Sequence, residues 1–311
     1  FNPSEFKNSP IASHRLRLSY IAEAAKQCGY KITGDILMNE SADIIYISKI
    51  TNEMQKTILP IINKINESQK YIFVDYTDDI LESDYEKERR EIYEELMKID
   101  SVFIVPIEGL SEKLEKRGKK TFVIPDGIDN ILNISPFKKN NAKTNVLWNG
   151  HSTNINSLLR IISNELLDYN FDLHVVSNAS SFQILNETKL KNVPKCKIFG
   201  HIWGIKKLQE VSKKCDLAIL PSDKIWASAN RLVTNFRLGL PVIAETISSY
   251  RPYSDYYCNF EKDLISEIFK SQEKWFGLVR QAQIKIEEEL NRKRLINLWK
   301  KLFIYTHSNF N

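Results

Sequence analysis

The strongest constraint on the fold is the stretch from Ala218 to Ala244, in which two apolar runs enclose an amphipathic segment. The first run ends at Pro221, Ser228 begins the amphipathic segment, and Gly239 ends it before the second run. Serine before a helix and glycine after it are common boundary signals. Two apolar strands joined through a helix are parallel and lie in a buried sheet. The stretch therefore predicts an α/β fold.

The start of this predicted helix lies at the carboxyl edge of the sheet, where open α/β sheets bind ligands. Ser228, Asn230 and Arg231 would add a hydroxyl, an amide and a guanidinium to the backbone N–H groups of the first helical turn. That combination suits a phosphate or diphosphate. The alternative is that Ser228 only caps the helix and Arg231 is a solvated charge, and this stretch is consistent with both.

The same alternation of apolar runs and amphipathic segments extends over the whole chain, on both sides of a polar, aperiodic segment from Ile131 to Thr144. This pattern predicts two Rossmann-like domains, each with a doubly wound parallel sheet. We place an N-terminal domain at 1–137, a C-terminal domain at 138–270, and terminal helices that pack back on the body at 271–311. The predicted strands are Tyr30–Leu37, Ala42–Ile50, Tyr71–Asp75, Ser101–Ile107, Thr121–Asp129, Asn145–Gly150, Phe171–Ser177, Lys195–Ile202, Leu217–Leu220 and Leu240–Ala244.

Composition excludes several classes of protein. With 311 residues, 42% hydrophobic and 27% charged, the chain is typical of soluble proteins with two cores. It shows no apolar run that could span a bilayer and no signal peptide. Its four cysteines and five histidines lack metal-ligand spacing, which predicts reduced thiols, a cytoplasmic location, and no metal or other cofactor. The net charge of +5 favours an anionic partner without requiring nucleic acid.

A second polar helix start follows the predicted strand Asn145–Gly150. Gly150, His151, Ser152 and Thr153 lead into the next helix and offer hydroxyls and an imidazole to a phosphate. The single glycine makes this a weaker signal than a P-loop. Because both helix starts belong to one predicted sheet, we expect them to bind one ligand from two sides.

Charged residues also mark the carboxyl edge of the N-terminal domain. Ser13, Arg15 and Arg17 lie at the start of the first predicted helix, where arginines oppose the helix dipole unless an anion is near. Surface arginines are the alternative.

A carboxylate that ends a strand, such as Asp75, can act as a general base or cap the next helix. We assign capping to Asp79 and the functional role to Asp75.

The chain closes with a basic amphipathic segment, Asn291–Phe303. Such a segment can bind an anionic surface, here the inner face of the cytoplasmic membrane. The alternative is a helix that packs an apolar stripe on the body of the protein. The stripe consists of Leu295, Leu298, Trp299 and Leu302.

The order and spacing of these motifs resemble those of the GT-B glycosyltransferases, in particular the large retaining group that builds bacterial surface polysaccharides. The donor-domain pattern of that group matches Pro221, Ser222 and the run GLPVIA at Gly239–Ala244. The segments VIPDGID (Val123–Asp129) and WNGHST (Trp148–Thr153) are similar to its interdomain segment and its glycine loop. IASHRLR and FVDYTDD look like segments of the branch that assembles surface polysaccharides.

The resemblance implies two Rossmann-like domains facing across a cleft and transfer of a sugar from a nucleotide-sugar donor to a glycan or lipid-linked acceptor. The family's two donor-site glutamates are absent, since they would fall near Trp226 and Thr234. We look to Asp223 and Lys224 for substitute contacts. The predicted donor-binding residues are Gly150, His151, Ser152, Thr153, Lys224, Ser228, Asn230, Arg231 and Thr234. The predicted catalytic residues are Asp75 and Asp223, and the acceptor-binding residues are Ser13, Arg15 and Arg17.

Two other functions remain open from the sequence. A non-catalytic GT-B module that binds a nucleotide or glycan within a larger assembly is favoured by the missing glutamates and opposed by the polar helix starts. An epimerase or phosphorylase on the same fold would need a catalytic acid pair or a pyridoxal lysine, and we identify neither. Fold alone does not separate these functions.

Overall fold

A computed structural model describes residues 9, 11–33, 42–48, 50, 55–67, 70–82, 87–129, 133–136, 143–187, 196–223, 225–271 and 273–308. The chain divides into two compact units. Unit 1 comprises Phe1–Gly127, Trp226–Ser228 and Leu290–Asn311, and unit 2 comprises Ile128–Ile225 and Ala229–Glu289. The first segment of unit 1 therefore ends ten residues before the predicted boundary at residue 137, and the predicted terminal segment is shared between the two units.

Nine strands are defined among the described residues. They are β1 (Ile44–Ile47), β2 (Tyr71–Asp75), β3 (Val102–Val105), β4 (Lys120–Val123), β5 (Thr144–Asn149), β6 (Phe171–Ser177), β7 (Cys196–Ile202), β8 (Leu217–Leu220) and β9 (Val242–Ala244). Each lies within or next to a predicted apolar run. Of the predicted strand Tyr30–Leu37, residues 30–33 are not in a strand and the rest lies outside the described residues.

The helices alternate with these strands. They are α1 (Ser19–Gln27), α2 (Gln55–Glu67), α3 (Lys87–Leu96), α4 (Glu108–Glu115), α5 (Ile155–Asn164), α6 (Ala179–Glu187), α7 (Ile205–Ser212), α8 (Asn230–Arg237), α9 (Lys262–Lys270), α10 (Glu273–Glu289) and α11 (Arg292–Ser308). A π-helical turn (His14–Leu18) precedes α1, and 3-10 turns occur at Ile80–Glu82, Ser152–Asn154 and Ser248–Tyr256. Within the described part of the chain, none of these helices combines the length and the apolar character needed to cross a membrane.

Each unit is built on one parallel sheet. The order is β1-β2-β3-β4 in unit 1 and β7-β6-β5-β8-β9 in unit 2. In unit 2 the chain runs outward from β5 through β6 to β7, then returns to pair β8 on the other side of β5. This reversal places a topological switch point between β5 and β8, where open α/β sheets bind ligands. Both sheets are parallel as predicted, and β2, β3, β6 and β8 are buried along almost their whole length, as strands covered on both faces are.

Helix α8 ends at a glycine with a left-handed backbone, as the sequence predicts. Gly239 has φ of 75°. A Cβ added there would lie 2.4 Å from the carbonyl oxygen of Ile134. Both the backbone conformation and the backbone contact therefore require glycine.

Replacing Gly239 by alanine should lower the free energy of unfolding by about 2 kcal/mol, because the left-handed conformation and the Cβ contact add their costs. Gly118→Ala is the matched control, since Gly118 has φ of 80° with no atom within 4 Å of an added Cβ. We expect about 1 kcal/mol for the control. Equal losses in urea unfolding would show that the contact with Ile134 contributes nothing.

Helix α11 packs an apolar stripe inside unit 1. Leu295, Trp299 and Leu302 are at most 1% exposed, whereas Leu298 is half-buried. The Trp299 ring meets Tyr46 edge to face, with centroids 6.0 Å apart. The packed stripe that the sequence allowed as an alternative is therefore present, with Leu298 at its margin.

Candidate functional site

The candidate site of unit 2 lies where β5 and β8 end. Asn149 is the last residue of β5, and its side-chain oxygen accepts a hydrogen bond of 2.8 Å from the amide of Asn235 in α8. The same amide donates to the backbone oxygen of Arg231, also at 2.8 Å. Asn235 is fully buried. The first turn of α8 is therefore held against the end of β5, beside the switch point.

The sequence placed the start of this helix two residues too early. Helix α8 begins at Asn230 and its N-cap is Ala229, which makes no side-chain cap hydrogen bond. Just before this helix in the sequence, Trp226 packs within unit 1, where its ring lies over Gly109 and 5.1 Å from the Lys113 ammonium. Ser228 belongs with Trp226 to unit 1.

Arg231 lies in the first turn of α8 and is half-buried. Its Nη1 atom is buried and has no hydrogen-bond partner among the described residues. The hydroxyl of the fully buried Tyr250 also lacks one. Burial raises the pKa of Tyr250, and the positive charge of Arg231 lowers it by a smaller amount. An unpaired buried guanidinium nitrogen is costly, so this end of α8 has the chemistry to bind an anion.

The turn after β5 is less open to a phosphate than predicted. The backbone N–H of Ser152 donates to the side-chain oxygen of Asn178 at 2.9 Å, and that of Thr153 donates to Nδ1 of His151 at 3.4 Å. These two N–H groups are therefore already bonded within the chain. The Ser152 hydroxyl accepts hydrogen bonds from Asn178 at 3.1 Å and from Ser180 at 3.3 Å, and the Thr153 hydroxyl lies 3.3 Å from Nδ1 of His151.

Gly150 begins this turn. A Cβ at that position would lie 2.7 Å from the indole ring of Trp148, which is fully buried. Gly150 is thus required by packing, whatever else it does.

Thr234 is half-buried in α8, and Asn230 begins that helix. Lys224 lies outside the described residues.

A network of ion pairs lies beyond the ends of β8 and β9. Arg160 of α5 binds both Asp223, at 3.1 Å, and Glu245, at 2.8 Å. The hydroxyl of Ser157, one turn earlier, donates to the second oxygen of Asp223. Asp223 is exposed, but both of its oxygens have partners. Its predicted catalytic role stays a prediction.

Sequence reasoning missed Arg160, Glu245 and Asn178. Arg160 lies on a helix and carries no motif, so its role depends on partners 63 and 85 residues away in the sequence. Glu245 directly follows the run Val242–Ala244, and residues at the ends of parallel strands were a signal that could have found it.

The acceptor residues predicted in unit 1 are more buried than expected. Arg17 lies at the carboxyl edge of the sheet, beside the end of β2, but is only 1% exposed. Its Nε donates to Asp75 at 2.6 Å, and its Nη1 donates to Asp126 at 2.8 Å and to the backbone oxygen of Ile124 at 3.0 Å. Its guanidinium carbon lies 5.1 Å from the Trp299 ring centroid. Arginines near a helix start indicated a nearby anion. For Arg17, Asp75 and Asp126 of the protein itself supply that negative charge.

Asp75 ends β2 as predicted and is 3% exposed. Burial raises its pKa to about 6, since the penalty for a buried charge exceeds the opposing effect of Arg17. Burial also disfavours the charge on Arg17, but Asp75 and Asp126 together outweigh it and raise the pKa of Arg17. The raised pKa of Asp75 was expected for a proton acceptor, although the carboxylate is bound by Arg17. Its role as a base stays a prediction.

Arg15 and Ser13 complete the predicted acceptor set. Arg15 is 5% exposed, and its Nη1 donates to the backbone oxygen of Ser9 at 2.7 Å. The Ser13 hydroxyl is buried without a hydrogen-bond partner among the described residues. Of the predicted acceptor residues, Ser13 therefore has the best capacity to accept a new hydrogen bond.

Comparison with known proteins gives the fold but no family. No protein-family model and no curated protein matches the sequence. Among solved structures, HepE of Anabaena in complex with UDP and glucose is 14% identical, with a TM-score of 0.63 over 97% of this chain and 84% of HepE. Sucrose-phosphate synthase of Thermosynechococcus elongatus is 12% identical, with a TM-score of 0.66 over 94% of this chain and 93% of the synthase.

WaaG, a glycosyltransferase involved in lipopolysaccharide biosynthesis, is 14% identical, with a TM-score of 0.61 over 95% of this chain and 96% of WaaG. These identities are low, so the similarity concerns the fold and not the chemistry. The chain has the fold of the GT-B glycosyltransferases, as the resemblance in its motifs implied.

Proposed function

We propose that this protein transfers a sugar from a nucleotide-sugar donor, and that unit 2 binds the donor at the ends of β5 and β8. The observation that carries the proposal is the Arg231 guanidinium, with a buried unpartnered nitrogen in the first turn of a helix beside the switch point. HepE, which shares the fold, was crystallised with UDP and with UDP-glucose. A diphosphate would supply the acceptor atoms that Arg231 lacks.

In such a reaction the bond between the sugar's anomeric carbon and a phosphate oxygen breaks, and a bond to an acceptor oxygen forms. Negative charge develops on the departing phosphate, so aimed N–H groups and cations stabilise the transition state. Arg231 and the N-terminus of α8 would act in this way, with hydroxyls from Ser152 and Thr153. The acceptor, a glycan or lipid-linked sugar of cell-surface polysaccharide synthesis, would contact Ser13 and Arg15.

A thermal-shift screen against sugar nucleotides and free nucleoside diphosphates tests the donor class. A ligand that binds only the folded protein stabilises it by about 2.7 kcal/mol at one hundred times its dissociation constant. We expect a uridine, guanosine or adenosine diphosphate sugar to raise the melting temperature. If no member of the panel does so at millimolar concentration, the proposal fails.

A non-catalytic binding module is the second candidate. It is favoured by Trp226 and Thr234, which stand where the glycosyltransferase group carries glutamates. Both candidates bind a nucleotide, but only the enzyme releases a nucleoside diphosphate from its donor. We expect slow release of the diphosphate even without acceptor, through transfer to water. Binding without release, with and without a panel of glycan acceptors, would establish the module instead.

We expect transfer to persist when divalent cations are removed with EDTA. A metal that bridges a diphosphate needs carboxylates beside it. The carboxylates that follow β8 and β9, Asp223 and Glu245, are both bound by Arg160. The measurement is the release of nucleoside diphosphate with and without chelator. Complete loss of activity that added Mg²⁺ or Mn²⁺ restores would contradict the prediction.

A further inference from the structure

The last helix of the chain has two unlike faces. Its inner face packs Leu295, Trp299 and Leu302 into unit 1. Arg292 also belongs to the inner face, since it binds Glu23 and lies 4.5 Å above the Tyr20 ring of α1. These contacts fix the rotation of α11 about its own axis. They therefore decide which side chains the helix presents to the solvent.

The outer side of α11 carries a set of exposed residues that we call the basic face: Lys293, Arg294, Asn297, Lys301 and Ile304. The sequence Arg292–Ser308 contains five cations, including Lys300, and no carboxylate. Arg292, which pairs with Glu23, lies outside the basic face. Lys293 and Lys301 of that face are exposed.

This arrangement is unfavourable for the isolated fold. Arg292, Lys293 and Arg294 lie in the first turn of α11, where the helix dipole is already positive. Cations at that end are destabilising, before any repulsion between them. Arg292 is compensated by Glu23, whereas Lys293 extends into solvent. An anionic partner would remove this cost.

The basic face also contains an apolar component. An open groove of about 360 Å³ is lined by Lys293, Arg294, Asn297, Leu298 and Lys301, with Asn291 at its end. Ile304 is 62% exposed on the same side of the helix. From Lys293 to Lys301 the helix rises about 12 Å, and Ile304 lies about one turn further. The lysines and Ile304 therefore share the exposed side of α11, and the half-buried Leu298 lies at the margin of that side, in the groove.

We infer that the basic face binds the surface of an anionic lipid bilayer. Lysine and arginine heads meet lipid phosphates while their aliphatic stems, Leu298 and Ile304 meet the boundary of the acyl chains. A polynucleotide would be bound through stacked aromatic rings, but the apolar groups here are aliphatic and Trp299 is buried. The inference goes beyond the proposed transfer reaction and does not depend on it.

Vesicle co-sedimentation of the full chain tests the inference. We expect binding to phosphatidylcholine vesicles that contain phosphatidylglycerol, little binding to phosphatidylcholine alone, and loss of binding at about 0.5 M salt. Each lysine near an anionic surface contributes about fivefold to the affinity. The variant K293Q/K301Q should therefore bind about 25-fold more weakly. Ile304→Ser should give a smaller loss that salt does not change.

The matched control is K206Q/K213Q, which removes two exposed lysines from unit 2. Its binding should equal that of the wild type, and neither double variant should lower the melting temperature, because the changes are on the surface. The inference is overturned if K206Q/K213Q weakens binding as much as K293Q/K301Q. It is also overturned if vesicles fail to bind while a polynucleotide or an acidic polypeptide binds through Lys293 and Lys301. Nucleotide binding, measured separately, reports on the transfer reaction alone.

Discussion

Replacing Arg17 by methionine should lower the free energy of unfolding by about 3–5 kcal/mol at pH 7.5, the usual cost of removing one partner from a buried ion pair. Arg17 is 1% exposed and separates two carboxylates, with Asp75 at 2.6 Å from its Nε and Asp126 at 2.8 Å from its Nη1. Methionine retains much of the volume but leaves two buried carboxylates without their cation. The measurement is equilibrium unfolding in urea.

The loss should also depend on pH in a defined direction. In the wild type the pKa of Asp75 is raised from 3.8 to about 6, so the folded state binds more protons than the unfolded state between these values. The contribution of Asp75 to stability therefore falls as the pH rises through this window. Without Arg17, which lowers the pKa of Asp75, that pKa should rise further. The difference in the free energy of unfolding between the wild type and Arg17→Met should therefore be smaller at pH 5 than at pH 7.5.

Asp75→Asn is the comparison variant. It removes a charge that burial disfavours and keeps an acceptor for Arg17, so the stability at pH 7.5 should change by about 1 kcal/mol or less. Arg17 retains Asp126 and the backbone oxygen of Ile124 in this variant. A large loss in Asp75→Asn, or a loss in Arg17→Met that does not vary with pH, would contradict this account of the cluster.

The same variant tests the catalytic role predicted for Asp75. A general base contributes about 10²–10⁴ to the rate, so turnover should fall by that factor while the melting temperature stays the same. If the melting temperature and turnover both remain at the wild-type level, Asp75 serves only as a partner of Arg17. Because the variant is expected to fold, a loss of turnover can be assigned to catalysis and not to unfolding.

Much of the fold was predictable because buried parallel strands are encoded locally. The apolar runs that form β2, β6 and β8 were predicted with their observed bounds, and Gly239 was identified as the end of a helix. The start of α8 was placed two residues too early, since the helix begins at Asn230 after an Ala229 N-cap that has no side-chain cap hydrogen bond. Helix ends without such a signal are not predictable to the residue from propensities.

The candidate site shows the same division between local and distant information. Arg231 and Ser152 were singled out because they lie at helix starts beside the carboxyl ends of strands, where ligands bind. The partners that decide what these groups can do were not found, since Asn178 bonds the N–H of Ser152 and Arg160 bonds Asp223 across long sequence separations. Likewise, Arg17 and Asp75 were each singled out, but their mutual ion pair across 58 residues was not. Sequence located chemically capable residues, and structure showed which are already engaged.

Arg231 is the residue on which the proposed donor site depends most. Replacing it by methionine should weaken binding of the nucleoside diphosphate identified in the screen by about 1.5–3 kcal/mol, or about 13- to 160-fold, the contribution of a charge-assisted hydrogen bond. The stability of the protein without ligand should change little or rise, because the variant removes a buried nitrogen that has no partner. Isothermal titration calorimetry and a melting curve measure the two quantities.

The matched control for this prediction is Arg280→Met, which removes an exposed arginine of α10 from the same unit. It changes the net charge equally, so any general electrostatic attraction of the nucleotide is lost to the same extent in both variants. Only Arg231→Met should lose affinity for the diphosphate while keeping its weak affinity for the nucleoside, since the guanidinium acts on the phosphates. Equal affinities of the two variants for the diphosphate would show that the phosphates do not bind at the first turn of α8. The donor site would then lie elsewhere in the protein.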